Sequence, residues 1–135
     1  MPKTINEIVR KKQKQKITVV TSYDYTMATL CDQVDILLVG DSAGMVMLGY
    51  ENTSPVTMDQ MCMFTEGVSN GRKNALIVAD LPNKSYENES DAVTNSQRLI
   101  NAGADAVKLE GRLPEIIKAI VKAGIPVMGH LGLLP

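Results

Sequence analysis

Five short runs of nearly unbroken apolar residues constrain this chain more than any other feature: Ile17–Ser22, Ile36–Gly40, Ala75–Asp80, Ala106–Glu110 and Ile125–His130. A strand with one wet face alternates apolar and polar residues, whereas a run apolar throughout has to be covered on both faces. Helical patterns with recognisable ends separate the runs. Asp91–Ala102 carries Ala92, Val93, Leu99 and Ile100, has Ser90 as its candidate N-cap and stops at Gly103. Leu113–Ala123 starts with Pro114 in its first turn, stops at Gly124 and offers Ile116, Ile117, Ile120 and Val121 for packing. Shorter helices are predicted over Tyr25–Cys31 and Met58–Asn70. An amphipathic entry helix is predicted over Pro2–Lys16, with Ile5 and Ile8 on one side and a solvated basic cluster, Arg10 to Lys16, on the other. Strand then helix, repeated and ending on a fifth strand, is a parallel α/β plan, either a barrel or a doubly wound sheet.

Charge narrows the function classes. With 14 Lys and Arg against 15 Asp and Glu, the net charge is -1, so no positive field exists to drive nucleic-acid or membrane-surface binding. No run approaches the roughly 18 apolar residues that cross a bilayer, and the first residues lack a signal-peptide core. Cys31 and Cys62 match no metal-ligand spacing and form no disulfide framework, which favours free thiols in a reducing compartment. The chain reads as cytoplasmic, with no nucleic-acid or membrane partner.

The chemistry is written where the strands end. The two longest insertions, Asp41–Thr57 and Leu81–Glu89, each follow a strand directly, and both parallel α/β plans put function in loops at the carboxyl ends of strands. Four successive runs terminate in ionisable residues: Gly40-Asp41-Ser42, Asp80, Lys108-Leu109-Glu110 and Gly129-His130. The strand period of two puts Lys108 and Glu110 on one face, where burial would demand partners for both. Alone, Asp41-Ser42 is an ordinary turn or helix cap, Asp80 a strand terminator, Lys108 with Glu110 an ion pair, and His130 a structural histidine. At one rim of successive parallel strands they form a constellation. Three carboxylates and one lysine leave negative charge in excess, which a divalent cation would neutralise. Carboxylate oxygens without histidine or thiolate clusters suit a hard ion such as Mg²⁺. A small oxo acid, chelating through its carboxylate and carbonyl oxygens, would complete such a shell, with Lys108 balancing its charge.

These residues sit in an ordered set of motifs: Thr21-Ser-Tyr-Asp-Tyr25, Leu38-Val-Gly-Asp-Ser-Ala-Gly44, Leu48-Gly-Tyr50 with Thr53-Ser-Pro-Val-Thr57, Ala79-Asp-Leu-Pro82, Gly103-Ala-Asp-Ala-Val-Lys-Leu-Glu-Gly111 and Gly129-His-Leu-Gly-Leu133. Across essentially the whole chain the sequence resembles the ketopantoate hydroxymethyltransferases (3-methyl-2-oxobutanoate hydroxymethyltransferases) of pantothenate biosynthesis. The resemblance implies a (β/α)₈ TIM-type barrel, with strands 1 to 5 present here, residues 1–16 forming an N-terminal helix, residues 17–135 the first portion of the barrel, and no second domain. It implies Mg²⁺ around Asp41, Asp80 and Glu110, and a 2-oxo acid contacted by Asp41, Ser42, Asp80 and Lys108, with His130 and Tyr23 lining the same pocket. The implied reaction moves a hydroxymethyl group from 5,10-methylenetetrahydrofolate to 3-methyl-2-oxobutanoate, giving 2-dehydropantoate through removal of the C3 proton and attack by the enolate.

The sequence departs from the family pattern at Asn83, where an aromatic residue is usual, at Leu134, where threonine is usual, and in shortened turns after Cys31 and Glu110. The family's general base is a glutamate with no matching position up to Pro135. Two alternatives therefore stand beside the enzyme: a family member that keeps a metal and oxo-acid half-site without catalysis, and an enzyme of the phosphoenolpyruvate mutase/isocitrate lyase kind. The latter is disfavoured because neither cysteine has the neighbours of the lyases' reactive-cysteine motif. Unpaired edges on the first and fifth strands would favour a homo-oligomer.

Overall fold

Period-two alternation assigns each strand residue to one of two faces, and the chain fills those faces with different partners. The computed structural model describes residues 1–133; Leu134 and Pro135, including the departure at Leu134, lie outside them. The strands are β1 (Val19–Thr21), β2 (Ile36–Val39), β3 (Leu76–Asp80), β4 (Ala106–Glu110) and β5 (Val127–His130). All neighbouring pairs are parallel and their spatial order is the sequence order, β1-β2-β3-β4-β5. A doubly wound sheet reverses its order at a switch point; an unreversed progression is that of a barrel wall.

On one face Leu37, Val39, Ile77, Ala79, Val107 and Leu109 pack against the helices as the larger core. On the other, Ile36, Leu76, Val78 and Ala106 form a smaller cluster, with Leu38, Met128, Ile5 and Ile8 packed against it. Every residue of β3 is buried, and Leu76, Ile77 and Val78 are at most 1% exposed. Each such side chain contributes roughly 1.5–3 kcal/mol on burial. The face carrying the smaller cluster is therefore apolar at the amino end of the strands. Followed upward by twos, it reaches Gly40, Asp80, Lys108, Glu110 and His130 at the carboxyl end.

The helices are α1 (Ile5–Arg10), α2 (Tyr25–Cys31), α3 (Ala43–Leu48), α4 (Met58–Gly71), α5 (Glu89–Asn101) and α6 (Pro114–Lys122). Three sequence expectations need correcting. The entry helix is shorter than Pro2–Lys16, because Thr4 and Glu7 close a capping box that fixes its start and the basic segment after Arg10 turns away. The segment Asp41–Thr57 is not all loop, since its apolar stretch Ala43–Leu48 forms α3. Finally, α5 is capped by Asn88, whose side chain accepts from Asp91 N–H, rather than by Ser90.

Acids at the amino ends of the strands hold the frame. Asp32 accepts from the backbone N–H groups of Lys73, Asn74 and Ala75 at 2.9–3.1 Å, tying α2 to the start of β3. Asp35 takes Lys11 Nζ at 2.6 Å and Thr18 N–H at 3.0 Å, and Asp105 takes Ile77 N–H at 2.8 Å. Desolvation opposes ionisation of Asp32, but its hydrogen bonds prevail and its carboxyl lies below the usual value.

Candidate active site

The site begins where β2 runs out. Val39 ends the strand and Gly40-Asp41-Ser42 turns the chain toward β3. A Cβ on Gly40 would meet Ser42 Oγ at 2.9 Å and Asp80 Oδ2 at 3.7 Å, so the missing side chain is what lets this turn close. Asp41 N–H then donates to Asp80 Oδ2 at 3.1 Å. Ser42 stands at the head of α3, yet its side chain makes no capping bond there. Its hydroxyl instead pairs with Tyr23 Oη at 2.7 Å, which brings the loop after β1 to the site.

The remaining charges are aligned by sheet register. Asp80 on β3 pairs in register with Lys108 on β4, and Glu110 on β4 with His130 on β5. Lys108 Nζ donates to Asp80 Oδ1 at 3.0 Å and lies 3.7 Å from Glu110 Oε1, bridging the two acids. Glu110 Oε1 is in turn 2.9 Å from His130 Nδ1. The side chains of Asp80 and Lys108 are 8% and 15% exposed, so this pair sits largely out of water.

Those surroundings set the protonation chemistry. Burial pushes the Asp80 carboxyl above its usual value, opposed by the Lys108 ammonium and by hydrogen bonds from Lys108 and from the Asp41 backbone. Burial also pushes Asp41 up, reinforced by the charges of Asp80 and Glu110 and opposed by Lys108 and a hydrogen bond from the Thr53 side chain. Asp41, Asp80, Lys108 and Glu110 line one cavity of about 240 Å³, completed by Leu81, Asn83 and Tyr86. It is an oxygen-rich cleft, short of positive charge and open at the strand ends.

Four of the residues singled out from sequence thus share a cavity wall. Ser42, Tyr23 and His130 lie outside that wall and join it through hydrogen bonds to one another or to Glu110. Among the described residues no three His, Cys, Asp or Glu side chains converge as a ready-made metal cage, since Lys108 stands between the acids. Sequence reasoning gave no role to Thr53 or Tyr86. Both lie in insertions that follow a strand end, which was the one signal available for them. Asn83, read only as a departure, is part of the cavity wall.

The family model described as ketopantoate hydroxymethyltransferase matches residues 2–135. The chain belongs to the ketopantoate hydroxymethyltransferase family. Curated relatives named 3-methyl-2-oxobutanoate hydroxymethyltransferase include one from Nitrosopumilus maritimus, 65% identical over 100% of this chain and 50% of its own length. Another, from Cenarchaeum symbiosum, is 60% identical over 92% of this chain and 48% of its own length. This ketopantoate hydroxymethyltransferase family member spans about half the length of the curated relatives it matches. Among solved structures, a phosphonopyruvate hydrolase complex with oxalate and Mg²⁺ superposes with a TM-score of 0.77 at 14% identity, covering 96% of this chain and 53% of that one. A 2,3-dimethylmalate lyase, of the phosphoenolpyruvate mutase/isocitrate lyase superfamily, superposes at 0.70 with 16% identity, over 97% and 52% of the two chains. At such identities the likeness is one of fold: the five parallel strands superpose on about half of each of those chains, as a partial barrel.

Proposed function

We propose that the carboxyl-end cavity binds 3-methyl-2-oxobutanoate with Mg²⁺, as the oxo-acid side of hydroxymethyl transfer from 5,10-methylenetetrahydrofolate to give 2-dehydropantoate. The observation that carries this reading is the placement of Asp41, Asp80, Lys108 and Glu110 on one cavity wall at the ends of successive parallel strands. The names of the relatives supply the substrate and the transferred group.

The donor set fits a hard divalent cation: three carboxylates, no thiolate, and one ammonium to balance them. Asp41, Asp80 and Glu110 would hold it by drawing together around it in place of Lys108, which now stands between the acids, and the raised carboxyls of Asp41 and Asp80 are what such a charge would relieve. Mg²⁺, which commonly keeps water and substrate oxygens in its shell, supplies Lewis-acid polarisation of the 2-oxo group. Lys108 offsets the carboxylate of the oxo acid, and Ser42, oriented by Tyr23, supplies a hydroxyl at the mouth of the turn. His130 holds Glu110 in place through its Nδ1. Phosphonopyruvate hydrolase, of like fold, takes oxalate and Mg²⁺, which supports the same ligand chemistry here.

The test is exchange of the C3 proton of 3-methyl-2-oxobutanoate into deuterated water with Mg²⁺ and without folate. Exchange that Asp80→Ala abolishes supports an enolising site. Metal-dependent binding without exchange favours the second reading, an oxo-acid half-site without catalysis. Absence of any oxo-acid binding refutes both. A cytoplasmic location suits a biosynthetic enzyme. Self-association through the β1 and β5 edges of the sheet is the expected assembly; a monodisperse monomer in light scattering would contradict it.

A further inference from the structure

Of the two polar residues on the cavity wall to which neither the strand ends nor the relatives' names assign a task, Asn83 and Tyr86, only Tyr86 also packs against the core. We propose that Tyr86 contacts the substrate directly, its phenol donating a hydrogen bond to an oxygen of the bound 2-oxo acid. The inference rests on the oxo-acid reading of the cavity.

Tyr86 reaches the cavity from the loop between β3 and α5, and that loop is fastened at several points. Leu81 N–H donates to Lys108 O at 2.8 Å, Ser85 N–H to Pro82 O at 3.1 Å, and Asn95 Nδ2 to Ser85 O at 2.7 Å. Leu81, Pro82 and Ser85 are buried, and between them Lys84 adopts φ of 63°, a left-handed conformation that a lysine holds only when its neighbours impose it. The half-buried Tyr86 ring packs against the larger core and lines the cavity beside Asp41, Asp80, Lys108 and Glu110.

The Tyr86 phenol shares the cavity wall with Lys108 and Glu110 of β4. Among the hydrogen bonds of the described residues its own proton has no protein acceptor. A phenol, with an ordinary value of about 10, carries its proton at neutral pH and can donate it. An oxo acid brings more negative charge into a cleft of carboxylates and needs donors there. Among the described residues Lys108 is the one cation of the cavity wall, shared between Asp80, Glu110 and the incoming carboxylate, so a further donor is needed. The Tyr86 hydroxyl is an uncommitted donor on the cavity wall, which makes it a determinant of preference for anionic oxygen ligands.

The experiment is calorimetric titration of the chain and of Tyr86→Phe with 3-methyl-2-oxobutanoate in Mg²⁺ buffer. Phenylalanine keeps the ring and its packing, so the variant should unfold at an unchanged temperature and bind about tenfold or more weakly, as loss of a hydrogen bond to a charged acceptor requires. In the parent chain, ligand should also perturb the tyrosine ultraviolet spectrum, with a signal that survives Tyr23→Phe. Equal affinities for parent and Tyr86→Phe overturn the inference while leaving the oxo-acid reading intact. Should Tyr86→Phe fail to fold, an unperturbed tyrosine spectrum in the saturated parent overturns it instead. A parent chain that binds no oxo acid removes the functional reading and this inference together.

Discussion

Replacing Lys108 with methionine isolates the electrostatic burden of the cavity. The ammonium is 3.0 Å from Asp80 Oδ1 and 3.7 Å from Glu110 Oε1. At an effective dielectric of about 20 the closer attraction is roughly 5 kcal/mol, and desolvation of the lysine offsets part of it. Methionine preserves most of the stem's packing but leaves Asp80 buried beside two other acids with no cation. Breaking a buried pair from one side typically costs about 3–5 kcal/mol. A loss of about 3 kcal/mol, or about 10 °C in melting temperature, is expected at neutral pH. The loss should shrink in mild acid, because burial already raises the Asp80 carboxyl and removing the ammonium that opposes this would raise it further. It should also shrink on adding Mg²⁺, which restores positive charge. Urea unfolding followed by circular dichroism, with and without Mg²⁺ at neutral and mildly acidic pH, measures all three. A neutral-pH loss below about 1 kcal/mol, within the range of a surface pair, would refute the reasoning. So would a larger loss that neither acid nor Mg²⁺ relieves.

Other consequences concern the frame. Asp32→Ala strips the acceptor from three backbone N–H groups and should cost about 3 kcal/mol in urea unfolding, with Asp32→Asn costing clearly less. Gly103 has φ of 106°, and a Cβ there would lie 2.1 Å from Ser69 Oγ, so Gly103→Ala should destabilise by about 3 kcal/mol. Adding Ser69→Ala should not rescue it, since Ser69 Cβ is still 2.5 Å away. Stability should pass through a maximum with pH. Asp35, held down to about 2 by Lys11 and Thr18, stabilises above the usual carboxylate value of 3.8, and that contribution is lost as pH falls through about 2. Asp41 and Asp80 act in the opposite sense: their raised values make stability decline as pH climbs from 3.8 through the folded-state values. Asp80→Asn should flatten that decline in a pH series of urea midpoints; an unaltered decline would contradict the assignment.

Much of this was legible in the residues because burial leaves a periodic trace. The runs Leu76–Ala79 and Ala106–Val107 identified parallel strands covered on both faces, and Asp80, Lys108 and Glu110 betrayed the rim by interrupting that apolarity. Strand-end position singled out Asp41 and Asp80, but what the sequence did not reveal was the task of the remaining aspartates. Asp32, Asp35 and Asp105 look no less chemical than Asp41 and Asp80. Yet the first three sit at the amino ends of strands, where nearby N–H groups satisfy them, while the other two are desolvated among like charges. That distinction is made by three-dimensional neighbours up to 43 residues away, as with Asp32 and Ala75. Tyr86 and Thr53 were missed for the same reason: each reaches the site from a loop, where no strand period marks which side chain turns inward. The helix α3 was missed because its apolar stretch, with Met45, Val46, Met47 and Leu48 all exposed, lacks the amphipathic stripe that signals a surface helix.

The register that sets Asp80 beside Lys108 and Glu110 beside His130 also bears on how the sheet assembles. Sliding β4 by two residues keeps every side chain on its own face, so hydrophobic burial alone barely distinguishes the correct alignment from that slip. Charge does distinguish it. One slip would set Glu110 level with Asp80, carboxylate against carboxylate, and the opposite slip would leave Asp80 facing Ala106 with no cation. The rim charges thus disfavour both slipped alignments, and a chain neutralised at all of these positions at once should be prone to misaligned sheets.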